Sequence, residues 1–520
     1  MSRFLKILSS VWACGALLYG CGDEDLIKFG NINGVKNWKP DVVLPLAEGN
    51  FTLWDLIDQD EDKIVKENNE IIIRHIQKDI YSLKVEEVIE VPQEIASFST
   101  TVDLPFIPVI ENTQVLDFEP DPVSLNFQEG EIRKMNGYAE IQYTLPQTSI
   151  AYTAKVIFPD IQQGGVPVEL QAAGGSEGTL VLEDILFDMT DSPNQLRWKI
   201  EITLEGGQPI PAMELPFVFK INNLVFTRVE GKVDQKILEI PEDKFTMDID
   251  FWENFDGSFH FQDPRVSLIV KNYGLAVPVR MDMDFVAYGN GKSLRLETKN
   301  GYMPEFKGWI PDEGTREEVQ GYSPENSNIA ELLSLPPKDA VKYRGQAIIN
   351  PEAADVVLLG DGRVHMDALV EIPLYLSAEN LLFNIDVEDV NLKDADKILE
   401  AGLVVEGTNH IPVELTSGYL YMLDDNKIEI DSVKINEDGS QNFLNAPEVD
   451  AEGEVVKAAQ SKCHIPLSEE NIRHLQDTRN FAISVKARTS NGGKVPLRLK
   501  ADATLKLVIR VEAKLNLDKL

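Results

Sequence analysis

The sequence predicts an all-β fold made of two or three antiparallel β-sandwich modules with few short helices. Apolar and polar residues alternate with a period of two over long stretches, which is typical of strands with one buried and one exposed face. Turn signals separate these stretches, and helical patterns are rare. The alternation is clearest over 196–204, 217–226 and 505–517, and the turns include Gly206-Gly207, Asn290-Gly291, Asp424-Asp425-Asn426 and Gly492-Gly493.

Length and composition indicate a folded, strongly acidic protein. The chain has 520 residues with 43% hydrophobic content and a formal net charge of −37. This length suits two to four domains with real apolar cores. A surface of this charge repels phosphate, so nucleic acid is not expected as a partner. The acidity serves solubility, and the alternative is attraction of cations such as Ca²⁺.

The first 21 residues follow the order of a bacterial lipoprotein signal. Arg3 and Lys6 precede a mostly apolar stretch at 7–19, which is too short to be a permanent membrane span. Leu18-Tyr19-Gly20-Cys21 then resembles a lipobox. This pattern predicts cleavage before Cys21 and a membrane anchor of acyl chains on its thiol. Cys463 is then left without a disulfide partner, because Cys14 is removed with the signal.

An acidic cluster follows the acylated cysteine. Gly22, Asp23, Glu24 and Asp25 resemble the export signal that routes lipoproteins of Bacteroidota to the outer face of the outer membrane. The resemblance implies an outer-membrane, lipid-anchored protein that faces the cell exterior. The alternative is an ordinary acidic tether.

Helices are expected at two places and a domain boundary at a third. Residues 52–57 follow Pro45-Leu46, and Asn328 can cap a helix over 329–335 that Pro336-Pro337 stops. Residues 394–401 suit a helix or a strand connection. The Gly- and Pro-rich stretch 300–325 predicts a boundary. The predicted organisation is a signal peptide (1–20), an acidic tether (21–36), an N-terminal β region (37–135), a β-sandwich module (136–299), a linker with a short helix (300–345) and a C-terminal β-sandwich module (346–520).

Two segments of the chain resemble each other. The run 268–272 followed by Pro278 and Phe285 aligns with 403–407 followed by Pro412 and Tyr419. A looser pair joins 204–211 to 489–496, in the reverse order along the chain. This order predicts a nested arrangement in which the C-terminal strands pack back near the N-terminal domain.

Short motifs resemble those of known families. Trp38-Lys39-Pro40, Leu53-Trp54-Asp55-Leu56, Tyr343-Arg344-Gly345 and Asn350-Pro351 look like a family of uncharacterised Bacteroidota lipoproteins, over most of the chain. That resemblance implies no reaction. The run Asp263-Pro264, with Asn272 and Pro278 after it, resembles a late-embryogenesis-abundant (WHy-type) β-sandwich repeat over about forty residues.

The sequence contains no recognisable motif of catalytic or metal-binding residues. The six histidines lack zinc-site spacing, and neither a nucleophile elbow nor a phosphate loop occurs. The run Asp58-x-Asp60-x-Asp62 begins like a calcium loop, but Lys63 stands where glycine is required and Asn69 where glutamate is required. We therefore expect no catalytic residue, no metal and no cofactor.

Two polar pairs and several tryptophans need a structure to interpret. His365 and Asp367 share one strand face, as a ligand pair or a solvated face, and Cys463 is expected in the core with His464 diverging from it. Exposed tryptophans would favour sugar stacking, while packing in the core is the alternative. The candidates are Trp38, Trp54, Trp252 and Trp309, with Trp309 expected to be the most exposed and Trp198 expected in the core.

These observations favour a non-enzymatic, surface-exposed outer-membrane lipoprotein that acts as a binding or accessory subunit beside an outer-membrane β-barrel protein. One alternative is a lipid carrier with an apolar β-lined tunnel. The other is a glycan-binding or carbohydrate-active protein. The sequence leaves the ligand-binding residues unknown.

Overall fold

The computed structural model describes residues 41–57, 63–92, 94–108, 112–127, 130–207, 209–245, 259–289, 291–335, 340–387, 398–436, 442–475 and 477–515. Antiparallel strands dominate and the helices are short, so the predicted all-β sandwich class is confirmed. No helix among these residues is long and apolar enough to cross a membrane.

The strands and helices have the following bounds. The strands are β1 Asp41–Thr52, β2 Ile64–Glu67, β3 Glu70–Lys84, β4 Glu94–Leu104, β5 Gln114–Phe118, β6 Val123–Ser124, β7 Glu131–Thr144, β8 Tyr152–Gln163, β9 Val166–Ala173, β10 Glu177–Asp188, β11 Gln195–Leu196, β12 Lys199–Leu204, β13 Met213–Lys232, β14 Lys236–Phe245, β15 Phe259–Phe261, β16 Arg265–Ala276, β17 Val279–Gly289, β18 Lys292–Arg295, β19 Glu305–Phe306, β20 Arg316–Tyr322, β21 Ala340–Ile349, β22 Asp355–Pro373, β23 Tyr375–Ala378, β24 Leu381–Val387, β25 Ile398–Asn409, β26 Val413–Leu423, β27 Glu429–Ile435, β28 Glu448–Val449, β29 Val455–Lys457, β30 Ala459–Leu467, β31 Asn480–Thr489, β32 Leu497–Arg498 and β33 Thr504–Leu515. The helices are α1 Leu53–Leu56, α2 Val85–Val88, α3 Ile329–Ser334 and α4 Glu469–His474, with a 3-10 turn at Lys299–Gly301.

The predicted helices form, with one change in capping. Thr52 and Asp55 make a capping box at the start of α1, because each side chain bonds the other residue's backbone N–H. At α3, Asn328 makes no side-chain cap, so the predicted cap is wrong. Its amide bonds the backbone of Arg295 and Glu297 instead. In the candidate segment 394–401, residues 394–397 lie outside the described part of the chain, and residues 398–401 begin β25.

An aromatic cluster packs on the N-terminal part of a 13-stranded sheet. Its strand order is β13-β7-β10-β8-β12-β5, and β4 also pairs with β13. The ring of Phe219 lies 5.4 Å from that of Trp198 and 5.5 Å from that of Phe98, and the two latter rings lie 5.0 Å apart. Trp198 is buried, as the alternating pattern predicts.

The middle of the chain forms a sandwich between the same large sheet and a five-stranded sheet. β3, β16, β20 and β22 belong to the first, and β14-β21-β17-β18 with β19 form the second. The chain passes between the two sheets at the β13–β14, β16–β17 and β21–β22 corners. Rings meet across the interior, with Phe285 5.8 Å from Tyr322. Strands β19, β20 and most of β21 lie inside the predicted linker 300–345, and the module boundaries stay predictions of the sequence.

The C-terminal sandwich includes the N-terminal strand. One sheet has the order β1-β33-β25-β30 and the other β24-β31-β26-β27. β1 pairs with β33 from Asp41 opposite Lys514 to Thr52 opposite Thr504. This pairing agrees with the nested arrangement that the sequence predicts, because the first described strand completes the last sandwich.

Buried asparagines hold the corners where strands change sheet. Asn272 bonds both backbone groups of Leu275 near the β16–β17 corner. Asn409 donates to the Val413 carbonyl and accepts from the Ile411 N–H at the β25–β26 corner. These corners are the first pair of segments that resemble each other in the sequence. The second, looser pair has different sheet neighbours, because β12 pairs with β5 and β8 whereas β31 pairs with β24 and β26.

Candidate functional site

Several predicted residues lie outside the described part of the chain. They are the acylation site Cys21, the export signal Gly22, Asp23, Glu24 and Asp25, the acidic loop residues Asp58, Asp60 and Asp62, and the tryptophans Trp38 and Trp252. The expectations that rest on them stay predictions.

The two described candidate tryptophans pack against the protein. Trp309 is only 4% exposed, so the prediction that it is the most exposed is wrong. The Gly/Pro-rich segment folds back onto β16, where the Trp309 N–H donates to the Leu275 carbonyl, and the indole N–H donates to the Glu313 carbonyl at 3.0 Å. Trp54 is partly buried against the core.

His365 and Asp367 lie on the outward face of β22, but they make separate contacts with other residues. His365 Nδ1 lies 3.6 Å from a carboxylate oxygen of Asp79. Asp367 accepts a hydrogen bond from the Asp79 backbone N–H and pairs with Lys271 at 3.5 Å. Asp79 has a φ of 53°, at an irregularity of β3. The pair therefore braces this bulge, and the described residues contain no group of three metal-ligating side chains.

Cys463 and His464 diverge on β30, as period-two geometry predicts. Cys463 is half-buried and packs against the core, and burial raises the pKa of its thiol. His464 is more exposed, with Nε2 3.9 Å from Glu512. A raised thiol pKa leaves little of the nucleophilic thiolate at neutral pH, so this pair is unsuited to nucleophilic catalysis.

A histidine–aspartate contact that the sequence did not suggest joins α4 to β27. His474 Nδ1 lies 2.8 Å from Asp431 Oδ2, and the Asn471 amide donates to the same oxygen at 2.8 Å. The residues lie about forty positions apart, and no motif links them. Burial raises the pKa of Asp431, but the hydrogen bonds from His474 and Asn471 outweigh it, so the pKa is lowered overall. The contact anchors α4 on the sandwich.

Replacing Asp431 by asparagine should destabilise the protein by about 1–2 kcal/mol at pH 7, because the anionic acceptor is lost. A carboxyl whose pKa is lowered on folding stabilises above its unfolded-state pKa, and this contribution disappears as pH falls through the folded-state pKa. The difference in unfolding free energy between wild type and variant should therefore shrink at low pH, measured by urea titrations. Asp425→Asn, in the adjacent exposed turn, is the control. A difference that stays constant with pH would contradict the assignment.

The best candidate binding site is on the outer surface of the C-terminal sandwich. Leu420 and Met422 point into the core, so Tyr419 and Tyr421 point outward from β26. Their rings stack with centroids 6.0 Å apart and planes at 25°. Tyr419 is 42% exposed, which is unusual for so large a ring on a central strand.

Small and basic residues surround the two rings. Ser484 and Ala482 of β31 lie opposite Tyr419 and Tyr421, and Lys434 and Ser432 of β27 lie opposite them on the other side. Because these serine and alanine side chains are short, the rings stand above the sheet. We call this surface the tyrosine face; it consists of Tyr419, Tyr421, Ser432, Lys434, Ala482, Ser484 and Lys486.

Charged side chains of both signs lie on and beside the tyrosine face. Lys434 and Lys486 are exposed on it, while the chain carries a net charge of −37. Glu414 lies on the same side of β26, where Arg488 and Asn442 bond its carboxylate. The face can therefore offer aromatic contact area beside exposed polar and charged side chains.

The sequence pattern pointed away from this site. The internal similarity aligns Tyr419 with Phe285, which is 1% exposed in the middle sandwich. An irregularity between Leu415 and Gly418 shifts the register of β26 against β31. A shift of one residue reverses which side chains face outward, so the equivalent position of the repeat is exposed here.

Comparison with known proteins adds two distant likenesses. No protein-family model matches the chain, and no curated protein sequence matches it. Among solved structures it is similar to a "putative secreted protein" of Parabacteroides distasonis, at 15% identity over 56% of this chain and 89% of that one, with a TM-score of 0.32. It is also similar to the VP2 subviral particle of infectious bursal disease virus, at 7% identity over 83% and 82%, with a TM-score of 0.13. Neither TM-score is high enough to support an argument about fold or function.

Proposed function

We propose that the protein is an exported lipoprotein, held on the outer membrane by acyl chains on Cys21, that faces the cell exterior and acts as a non-enzymatic binding or accessory subunit. The lipobox-like end of the signal and the acidic cluster Gly22-Asp23-Glu24-Asp25 support the location. The partner that suits this location is an outer-membrane β-barrel protein.

The tyrosine face is the observation that carries the binding role. It lies on an open sheet surface, whereas an enzyme site of ordinary design encloses its substrate in a concave pocket. A pair of outward-facing aromatic rings provides contact area at little cost in conformational entropy. Binding without chemistry is the activity that such a surface supports best.

Four buried polar side chains support the same role, because their hydrogen bonds hold the fold together. Asp160 accepts hydrogen bonds from the backbone N–H and guanidinium of Arg197. Asn272, Asn350 and Asn409 bond backbone groups at strand corners. These groups are committed to strand geometry, which makes them unsuitable as acids, bases or nucleophiles.

The position of β1 limits the distance between the membrane anchor and the C-terminal sandwich. β1 begins at Asp41, twenty positions after Cys21, and pairs along β33. An extended linker of that length spans at most roughly 70 Å. The C-terminal sandwich, with the tyrosine face on it, would therefore lie within this distance of the membrane.

Cross-linking on intact cells with a membrane-impermeant, lysine-reactive reagent tests the proposal. Affinity capture and mass spectrometry should recover the protein together with an outer-membrane β-barrel protein. The Cys21→Ser variant should lose membrane attachment and appear in the soluble fraction, because the acylated thiol is gone. An abundant wild-type protein that stays unlabelled would place it inside the envelope and contradict surface exposure.

A further inference from the structure

β1 spans the C-terminal sandwich from one end to the other. Asp41 lies opposite Lys514 at one end of its pairing with β33, and Thr52 lies opposite Thr504 at the other. We call the end at Asp41 and Lys514 the tether end, because the chain that precedes β1 enters there. We call the end at Thr52 and Thr504, where β33 begins, the joint end. A force on the preceding chain therefore acts on β1 at the tether end.

The joint end connects the C-terminal sandwich to the middle sandwich. The Ala501 N–H, shortly before β33, donates to the carbonyl of Asn69 at 3.0 Å. Glu70, the first residue of β3, pairs with Arg498 at 3.1 Å and with Lys500 at 3.6 Å. β3 belongs to the middle sandwich. A force that holds the middle sandwich therefore reaches β33 at the joint end.

These two points of attack load the β1–β33 pairing in shear. The hydrogen bonds of an antiparallel pair run perpendicular to the strands. Forces at opposite ends of two paired strands load all of these bonds together, whereas forces at the same end open them one pair at a time. A pull on the tether draws β1 from the tether end while the middle sandwich holds β33 from the joint end. All eleven residue pairs between the two strands then resist together.

β33 is held in place on its other side, so it does not follow β1. It pairs with β25 from Ile398 opposite Leu515 to Asn409 opposite Leu505. Among the described strands, β1 pairs with β33 only. The strand that a pull would move is therefore β1.

The β1–β33 pairing has one interruption, which lies toward the tether end. Pro45 has no N–H to donate, and the register shifts between Pro45 and Ala47. From Ala47 to Thr52 the register continues without a shift. This unbroken stretch adjoins the joint end, so β1 cannot leave the sandwich until the whole stretch has been sheared.

We propose that β1 and β33 form a mechanical clamp, a strand pair that carries pulling force between the membrane anchor and the folded protein. This inference rests on the proposed anchor at Cys21, because only an anchored chain is pulled through β1. The clamp lets a protein whose bound partner moves away from the membrane keep its folded structure.

Pulling single molecules in optical tweezers from two different positions on β33 tests the clamp. The unacylated chain that begins at Cys21 carries Cys463→Ala, so that one DNA handle attaches to the Cys21 thiol. The second handle attaches at Lys506→Cys, near the joint end, or at Lys514→Cys, at the tether end. We expect a several-fold higher rupture force for the first position, because it loads the pairing in shear. Both are pulled at one loading rate, since forced unfolding is governed by the unfolding rate.

The two handle positions are matched in everything except the end of the strand. Lys506 and Lys514 are even-numbered positions on the outer face of β33, and both side chains reach solvent. Each substitution removes one cross-strand ion pair, with Glu48 for Lys506 and with Glu400 for Lys514. Circular dichroism and the urea midpoint should be the same for both variants. Equal rupture forces at the two positions would overturn the proposal.

A third handle at Lys342→Cys, on β21 of the middle sandwich, tests the path of the force through the joint end. We expect a rupture force close to that of the Lys506→Cys handle. A force as low as that of the Lys514→Cys handle would mean that another part yields before β1 is loaded, which contradicts the clamp. These measurements use the unacylated chain in solution, whereas cell labelling tests its location. Failure of one experiment therefore leaves the result of the other intact.

Discussion

Replacing Asn350 by alanine is expected to lower the free energy of unfolding by about 3–5 kcal/mol, because three backbone groups lose the hydrogen bonds of a fully buried side chain. Asn350 is 0% exposed at the β21–β22 corner. Its amide donates to the carbonyls of Val233 and Ala354, at 2.6 and 3.0 Å, and its oxygen accepts from the Ala354 N–H. Its φ of 48° adds strain for alanine, since asparagine tolerates the left-handed region better.

Urea unfolding followed by circular dichroism measures the effect as a lower midpoint at unchanged slope. Asn491→Ala is the control, because Asn491 has a similar φ of 58° but lies in an exposed turn. Backbone strain alone should cost about 1 kcal/mol there. If the two variants lost the same stability, the loss at Asn350 would come from its backbone conformation and not from its hydrogen bonds.

The corner asparagines show a limit of reading the repeat from sequence. Matching the apolar alternation aligns Asn272 with Gly407, two positions before Asn409. The structure gives the bracing role to Asn272 and Asn409, at corners of different lengths. Alternation identifies strands, but the position of a corner depends on where a strand leaves its sheet. The place where a strand leaves its sheet depends on packing against the opposite sheet, and the local sequence pattern does not contain this information.

Strand identity and burial could be predicted, but pairing could not. Over β33 the alternation predicts inward positions at Leu505, Leu507, Ile509 and Val511, and all are at most 4% exposed. The partners of β33 are β1 and β25, and the first of these lies more than 450 residues away in the chain. Closing the long loop between such partners costs chain entropy, and no local sequence pattern indicates which strand will be the partner.

The candidate site shows the same limit. Glycine and proline around Trp309 predicted a linker, but composition does not tell whether such a segment packs on the protein. Tyr419 and Tyr421 stand two positions apart, as outward neighbours on a strand must. The direction in which they point depended on the irregularity between Leu415 and Gly418, which a regular alternation cannot reveal.

Val511→Asp should prevent folding of the C-terminal sandwich at neutral pH. Val511 is 0% exposed on β33, between Leu44 of β1 and Leu403 of β25. An aspartate there is a buried charge without a partner, which costs more than about 4 kcal/mol. Burial raises the pKa of such a carboxyl, so the penalty is largest above the folded-state pKa and falls as acid neutralises the group. Limited proteolysis at pH 7 and pH 5 should show faster cleavage of the variant and partial protection at the lower pH.

Val508→Asp is the matched control, because the same substitution three residues earlier falls on the outer face of the same strand. Val508 is half-buried and lies opposite Glu48 and Glu406, so the new carboxylate meets like charges but keeps contact with water. Like charges across strands cost about 1 kcal/mol or less. Equal sensitivity to protease would mean that the two faces of β33 are similarly exposed, which contradicts its place between β1 and β25. A large difference would mean that the inner face of β33, between β1 and β25, lies in the core of the sandwich that bears the tyrosine face.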